Sequence, residues 1–108
     1  MKMFKILGLC TLLSVTLLGK EIQVVAYDWG YEPKEIVLKK DEPVKLTLVS
    51  KDGDHGLGSK ELGFNLEAAP GKPASVEITP TKVGEYTGKC TIPCGSGHKK
   101  MLLKIKVE

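Results

Sequence analysis

The chain has 108 residues, enough for one small domain and too few for a catalytic cleft plus a second domain. Its net charge at pH 7 is +3, and every one of its 16 basic residues is a lysine. Removing residues 1–19 takes away Lys2 and Lys5 and no acidic residue, which lowers the net charge to +1. A net charge this close to zero lacks the strong basic bias that is expected of a nucleic-acid-binding domain.

The amino terminus has the outline of a secretory signal peptide. Lys2 and Lys5 precede an apolar run over residues 6–19, which is shorter than the roughly twenty residues of a membrane-spanning helix. Leu17 and Leu18 stand where a cleavage site needs small residues. The segment can therefore also be interpreted as an anchor that is not cleaved. Cys10 follows a leucine rather than a small residue, which argues against a lipoprotein.

These features divide the chain into two parts. We expect residues 1–19 to be a signal peptide or an amino-terminal anchor, with possible membrane anchoring through residues 6–19. Residues 20–108 are then one periplasmic or otherwise extracytoplasmic domain.

After residue 20 the sequence favours an all-β sandwich or barrel. Short β-branched or alternating runs are separated by turns rich in Gly, Pro and Asp, and no stretch has helical periodicity. The glycine-rich segment 56–73 predicts a loop with one short strand near Phe64–Leu66. The other predicted strands are, in chain order, Ile22–Ala26, Ile36–Leu38, Val44–Val49, Ser75–Ile78, Gly84–Lys89 and Leu102–Val107.

Several polar and aromatic residues along these elements have a simple structural interpretation. Trp29 alternates with Tyr27 and Tyr31 in a segment interpreted as extended, so packing is expected rather than electron entry. Asp52 and Asp54 precede His55 in a turn, where we expect each to bond its own backbone rather than orient the imidazole. Lys99 and Lys100 are interpreted as solvated surface lysines rather than a docking rim.

The segment "KCTIPCGSGHKKM", residues 89–101, places two cysteines, a histidine and a methionine between the last two predicted strands. A Cys90–Cys94 disulfide would close a very small loop, constrain little of the unfolded chain and leave His98 and Met101 without a role. Zinc bound by Cys90, Cys94 and His98, with His55 as fourth ligand, is compatible with the spacing but also leaves the methionine unused.

Copper uses all of these side chains. Thiolate and thioether are soft ligands that favour Cu(I), and a Cys–His set with a weak axial Met is typical of copper electron-transfer sites. Cys94, His98 and Met101 supply that set from one loop, and His55 would join it from elsewhere in the chain. Cys90 is an additional thiolate, which permits two sulfurs to bridge two copper ions.

Five segments carry a resemblance to a known family: "WGYEP", "SKDGDHG", "ELGFNLEAAPGKP", "VGEYTGKC" and "CTIPCGSGHKKM". In order and spacing they resemble the CuA-type cupredoxin domain of cytochrome c oxidase subunit II and of nitrous oxide reductase. The resemblance covers residues 22–107, and its Cys-x3-Cys-x3-His-x2-Met element is its most specific part. It implies a cupredoxin-like Greek-key β-sandwich or barrel.

The resemblance also implies a ligand set for two copper ions. Cys90 and Cys94 would bridge the metals, and His55 and His98 would each bind one of them. Met101 would be a weak axial ligand on one copper and the backbone carbonyl of Ile92 a weak ligand on the other.

The function implied is electron transfer from a donor such as cytochrome c to a terminal oxidase, without catalysis by this domain alone. Two alternatives stay open. One is a copper chaperone or store that delivers copper to an oxidase through the same ligands. The other is a metal-free β-sandwich module with a Cys90–Cys94 disulfide.

Overall fold

The computed structural model describes residues 20–28, 30–92 and 101–108. Within these ranges every regular element is a β-strand, so the predicted all-β fold is confirmed, and nothing there forms a helix that could cross a membrane. The predicted signal peptide or anchor, residues 1–19, lies outside the described residues. The strands are β1 (Lys20–Tyr27), β2 (Gly30–Glu32), β3 (Glu35–Leu38), β4 (Val44–Ser50), β5 (His55–Ser59), β6 (Phe64–Ala68), β7 (Ala74–Ile78), β8 (Gly84–Lys89) and β9 (Leu102–Val107).

The strands form two sheets that pack as a sandwich. One sheet has the order β2-β1-β4-β7, and the other has the order β3-β9-β8-β5-β6. The β1–β4 and β3–β9 pairs are parallel, and the remaining neighbours are antiparallel. Because a tight turn cannot join parallel neighbours, the chain passes between the sheets on its way from one partner to the other. The edge strands are β2, β7, β3 and β6.

The core lies between the two sheets and follows the two-residue period of the strands. In β4, Val44, Leu46 and Leu48 are buried, and the alternate residues Lys45 and Thr47 face outward. The opposite sheet contributes the same alternation from β9. Its buried residues are Leu103, Ile105 and Val107.

Each predicted strand corresponds to an observed one, and the predicted bounds of Gly84–Lys89 and Leu102–Val107 are those of β8 and β9. The structure adds two strands. β2 has only three residues and pairs antiparallel with β1, with Tyr27 opposite Gly30, so the two strands form a hairpin rather than one extended run. Trp29 lies outside the described residues. β5 was predicted as loop because of its glycines, although all five of its residues are buried.

The second sheet brings three distant parts of the chain to one end. β8 and β9 pair in register from Gly84↔Val107 to Lys89↔Leu102, which confirms that the Cys-rich loop joins neighbouring antiparallel strands. β5 lies on the other side of β8, with Gly58 opposite Lys89. The beginning of β5, the end of β8 and the beginning of β9 therefore meet at the same end of the sheet.

Candidate metal centre

Four of the six predicted ligands lie within the described residues, at this common end of the sheet. His55 begins β5, Cys90 follows β8 directly, and Met101 precedes β9 directly. These three side chains are buried, with exposed fractions of 1%, 5% and 0%. Ile92 is partly buried. Cys94 and His98 lie outside the described residues, so their roles stay predictions.

The imidazole of His55 is oriented by Asp52. His55 Nε2 lies 3.1 Å from Asp52 Oδ1, and because a carboxylate only accepts, Nε2 is the nitrogen that carries the proton. In the neutral imidazole the other nitrogen, Nδ1, then has a free lone pair. It is buried and has no hydrogen-bond partner in the described part of the chain, as expected for a nitrogen that binds a metal ion.

Asp52 also ties His55 to the β1–β2 turn. The same oxygen, Oδ1, accepts a hydrogen bond from the backbone N–H of Asp28 at 3.1 Å. The prediction that Asp52 bonds its own backbone is therefore wrong, because its partners are an imidazole and an amide 24 residues away. The hydrogen bonds to the backbone of this turn come from Ser50 instead, whose hydroxyl donates to the carbonyls of Asp52 and Gly53.

Tyr31 supports the residue that follows His55. Its hydroxyl donates to the Gly56 carbonyl at 2.5 Å, and the side chain is 1% exposed. Burial raises the pKa of Tyr31 above its ordinary value, so the hydroxyl remains a donor throughout the neutral range. Tyr31 thus contributes a buried hydrogen bond next to the histidine, whereas the packing role predicted for Trp29 concerns a residue outside the described ranges.

The Cys90 sulfur lies 3.0 Å from the carbonyl oxygen of Ile92, the backbone atom predicted as a weak ligand. The structure carries Cys90 in a disulfide. The other two cysteines of the chain, Cys10 and Cys94, lie outside the described residues. A metal ion binds thiolate sulfur, so this oxidised form must be reduced before Cys90 can act as a ligand.

The described donors suit a soft transition metal. They are a buried imidazole nitrogen with a free lone pair, a cysteine sulfur, a buried methionine and a backbone carbonyl, which matches the ligand preferences of copper. Among residues 20–28, 30–92 and 101–108, no three His, Cys, Asp or Glu side chains converge on one point. Two of the four predicted Cys and His ligands fall outside those ranges.

One group of residues beside the site was not predicted from the sequence. Thr91 lies against Gly56 and Gly58 of β5 and donates to the Asn65 side chain of β6. The signal for it is the Gly-x-Gly spacing after His55, because alternate residues of a strand lie on one face. That spacing was attributed to a loop.

The comparisons with known proteins agree with the observed fold. The family model described as "Cupredoxin-like domain" matches residues 7–99. Over 87 residues the chain is 31% identical to cytochrome c oxidase subunit 2 of Thermus thermophilus, covering 81% of this chain and 64% of that protein. The chain therefore spans less than two thirds of this relative's length.

Two solved structures share the fold. A chain of a heme-copper terminal oxidase dimer, determined by cryo-EM, superposes with a TM-score of 0.74 at 30% identity over 83% of this chain and 65% of that one. The periplasmic domain of subunit II of the cytochrome oxidase of Bradyrhizobium japonicum has a TM-score of 0.74 at 18% identity, over 82% and 83% of the two chains. The resemblance to cytochrome c oxidase subunit II is confirmed, and since the family model covers most of its length, the chain belongs to the cupredoxin-like domain family.

Proposed function

We propose that this chain is an extracytoplasmic copper-binding electron-transfer domain that acts like the cupredoxin domain of cytochrome c oxidase subunit II. Its electron donor would be a protein such as cytochrome c and its acceptor a terminal oxidase. Residues 1–19 would direct the chain out of the cytoplasm or anchor it. The residues proposed to bind two copper ions are His55, Cys90, Cys94, His98, Met101 and, through its carbonyl, Ile92.

The observation that carries the proposal is the state of His55. Its Nδ1 is buried and has no hydrogen-bond partner among the described residues, while Nε2 is bonded to Asp52. A buried polar atom left in this state costs the metal-free protein about 1–3 kcal/mol. A metal ion on Nδ1 would offset that cost.

The surrounding residues favour electron transfer over substrate chemistry. Bound copper would supply a one-electron couple, and two shared thiolates would spread its charge. Asp52 fixes the imidazole, and Tyr31 fixes the backbone next to it. Fixed ligands keep rearrangement small when an electron arrives or leaves, and the burial of His55, Cys90 and Met101 excludes water from these donors.

The relatives support the proposed partners and location. The Thermus thermophilus protein is a subunit of a cytochrome c oxidase, and the Bradyrhizobium japonicum domain is periplasmic. Because the chain spans only part of the Thermus subunit, the activity and partners of that whole protein are carried over here as proposals.

Copper loading of the full chain tests the proposal directly. The protein is reduced without oxygen to free its thiols, loaded with copper and cleared of excess metal, and the copper-to-protein ratio is measured with visible and electron spin resonance spectra. We expect two coppers per chain and a seven-line hyperfine pattern from one electron shared by two nuclei. A four-line pattern with one copper would contradict the binuclear site, and a colourless, copper-free protein would contradict the function.

A pair of cysteine variants provides the matched control. Cys94→Ser is expected to abolish the thiolate-to-copper absorption, whereas Cys10→Ser, in the predicted signal or anchor segment, should leave it unchanged. Full absorption in Cys94→Ser would exclude the bridging role. Copper delivery is tested separately: a carrier keeps its copper through repeated redox cycles in the presence of a metal-free copper protein, and a chaperone transfers it.

A further inference from the structure

Thr91 lies between two proposed donors, Cys90 and Ile92, and reaches across the neighbouring strand. Its hydroxyl donates to Asn65 Oδ1 at 2.6 Å. Asn65 belongs to β6, and β5 lies between β6 and the chain that leaves β8. The Thr91 side chain therefore passes over β5 to reach its partner.

The Thr91 side chain can cross β5 only because two residues of that strand are glycines. A Cβ atom built on Gly56 would lie 2.7 Å from Thr91 Oγ1 and 3.1 Å from Thr91 N, and one built on Gly58 would lie 2.8 Å from Thr91 Cγ2. Real Cβ atoms essentially never approach other atoms within 3.0 Å, and the 3.1 Å distance to the backbone nitrogen is also tighter than most contacts. The absence of a side chain at both positions thus leaves a space that Thr91 fills.

The strand register shows how close this contact is to the proposed ligands. Gly58 pairs with Lys89 in the antiparallel β5–β8 ladder. Continuing that register by two residues places Thr91 opposite Gly56, which agrees with the short approach of Gly56 to Thr91 N. One residue further, the same register would bring Ile92 opposite His55. The Thr91 contact therefore lies next to the part of β5 that holds the histidine.

We propose that Thr91 is a positioning residue for the copper site, and this inference rests on the proposed function. Seated on Gly56 and Gly58 and bonded to Asn65, it fixes residues 90–92 beside β5. The Cys90 sulfur and the Ile92 carbonyl are thereby kept at a constant distance from His55. Thr91 acts through these neighbours and does not itself bind the metal.

The test compares Thr91→Val with a matched control on the same face of the sheet. The valine keeps the shape of the side chain and removes the hydroxyl. Thr87→Val makes the same change at an exposed threonine of β8 whose side chain forms no hydrogen bond in the described part of the chain. Thr91→Ser keeps the hydroxyl and serves as the conservative variant, and Gly56→Ala displaces Thr91 from the opposite side.

Three measurements are made on each full-length variant: copper affinity by chelator competition, the thiolate-to-copper absorption maximum, and backbone amide exchange of residues 90–92 in the reduced, metal-free protein. We expect Thr91→Val and Gly56→Ala to bind copper roughly tenfold more weakly, in the range seen for residues that support metal ligands. Both should also shift the absorption maximum and accelerate exchange at residues 90–92. Thr91→Ser and Thr87→Val should behave like the wild type.

The outcomes separate this inference from the proposed function. If the wild type binds copper and Thr91→Val matches it in affinity and spectrum, the positioning role is overturned and the proposed function stands. If the wild type takes up no copper, the proposed function fails. Amide exchange then decides whether Thr91 fixes residues 90–92: unchanged exchange in Thr91→Val would overturn that claim as well.

Discussion

Asp52 Oδ1 lies 3.1 Å from His55 Nε2 and also 3.1 Å from the backbone nitrogen of Asp28. One carboxylate oxygen thus joins the imidazole to the turn between β1 and β2, which belong to the opposite sheet. The orientation of His55 is therefore set by both sheets of the sandwich. A change at either position should reach Nδ1, the nitrogen proposed to bind copper.

Asp52→Ala removes both of these bonds and allows the imidazole to rotate. We expect copper affinity, measured by competition with a chelator, to fall about 10–100-fold. Asp54→Ala is the control, because Asp54 is an exposed neighbour with no side-chain hydrogen bond in the described residues. Equal affinities for the two variants would show that Asp52 does not orient His55.

Tyr31→Phe removes the donor to the Gly56 carbonyl. Because this acceptor is left without its buried partner, the free energy of unfolding at pH 7 should fall by about 1–3 kcal/mol. Tyr86→Phe deletes a similar hydrogen bond, from the Tyr86 hydroxyl to the Lys82 carbonyl at 2.7 Å, but this bond is exposed to solvent. Its effect should stay within about 0.5 kcal/mol. Equal losses measured by denaturant unfolding would contradict the buried role of Tyr31.

Alkaline pH should destabilise the protein through Tyr31. Burial raises the pKa of this hydroxyl in the folded state, whereas the unfolded chain ionises tyrosine near pH ~10. The stabilisation is therefore complete below pH ~10 and is lost as pH rises toward the folded-state pKa, by up to about 1.4 kcal/mol per pH unit. The wild type should lose stability more steeply than Tyr31→Phe above pH ~10. Parallel curves from denaturant unfolding would exclude this linkage.

Met101→Leu separates packing from metal binding. The side chain is fully buried, and a swap that conserves volume should cost less than about 1.5 kcal/mol in the metal-free protein. The copper-loaded variant should nevertheless change its reduction potential and visible spectrum, because a thioether has been removed. Leu103→Met, at an equally buried position of β9, should have a similar stability effect without the spectral change. Unchanged spectra in Met101→Leu would remove Met101 from the ligand set.

The strands that alternate strongly could be predicted from the sequence. Gly84–Lys89 and Leu102–Val107 have a regular two-residue period, and their bounds are confirmed. β5 could not be found in this way, since two of its five residues are glycines that favour a loop by composition. What makes it a strand is its antiparallel pairing with β6 and β8, and its two glycines leave room for Thr91, a contact between segments more than 30 residues apart.

The candidate site, like the fold, has features that could be predicted from the sequence and features that could not. Residue type and spacing were enough to predict that His55, Cys90 and Met101 come together at one end of a sheet. The orienting role of Asp52 was missed because rules for turns consider nearby backbone, while its partners are brought to it by the tertiary fold. The roles of Cys94 and His98 remain predictions.

The order of the strands also affects how copies of the chain meet. Each of the four edge strands, β2, β3, β6 and β7, carries one glutamate and no lysine, whereas lysines lie on the interior strands β1, β4, β8 and β9. Two exposed edges that approach each other would bring together carboxylates of like sign, which disfavours pairing between molecules. These glutamates therefore oppose pairing between copies of the chain at the described sheet edges. The glutamates are Glu32, Glu35, Glu67 and Glu77.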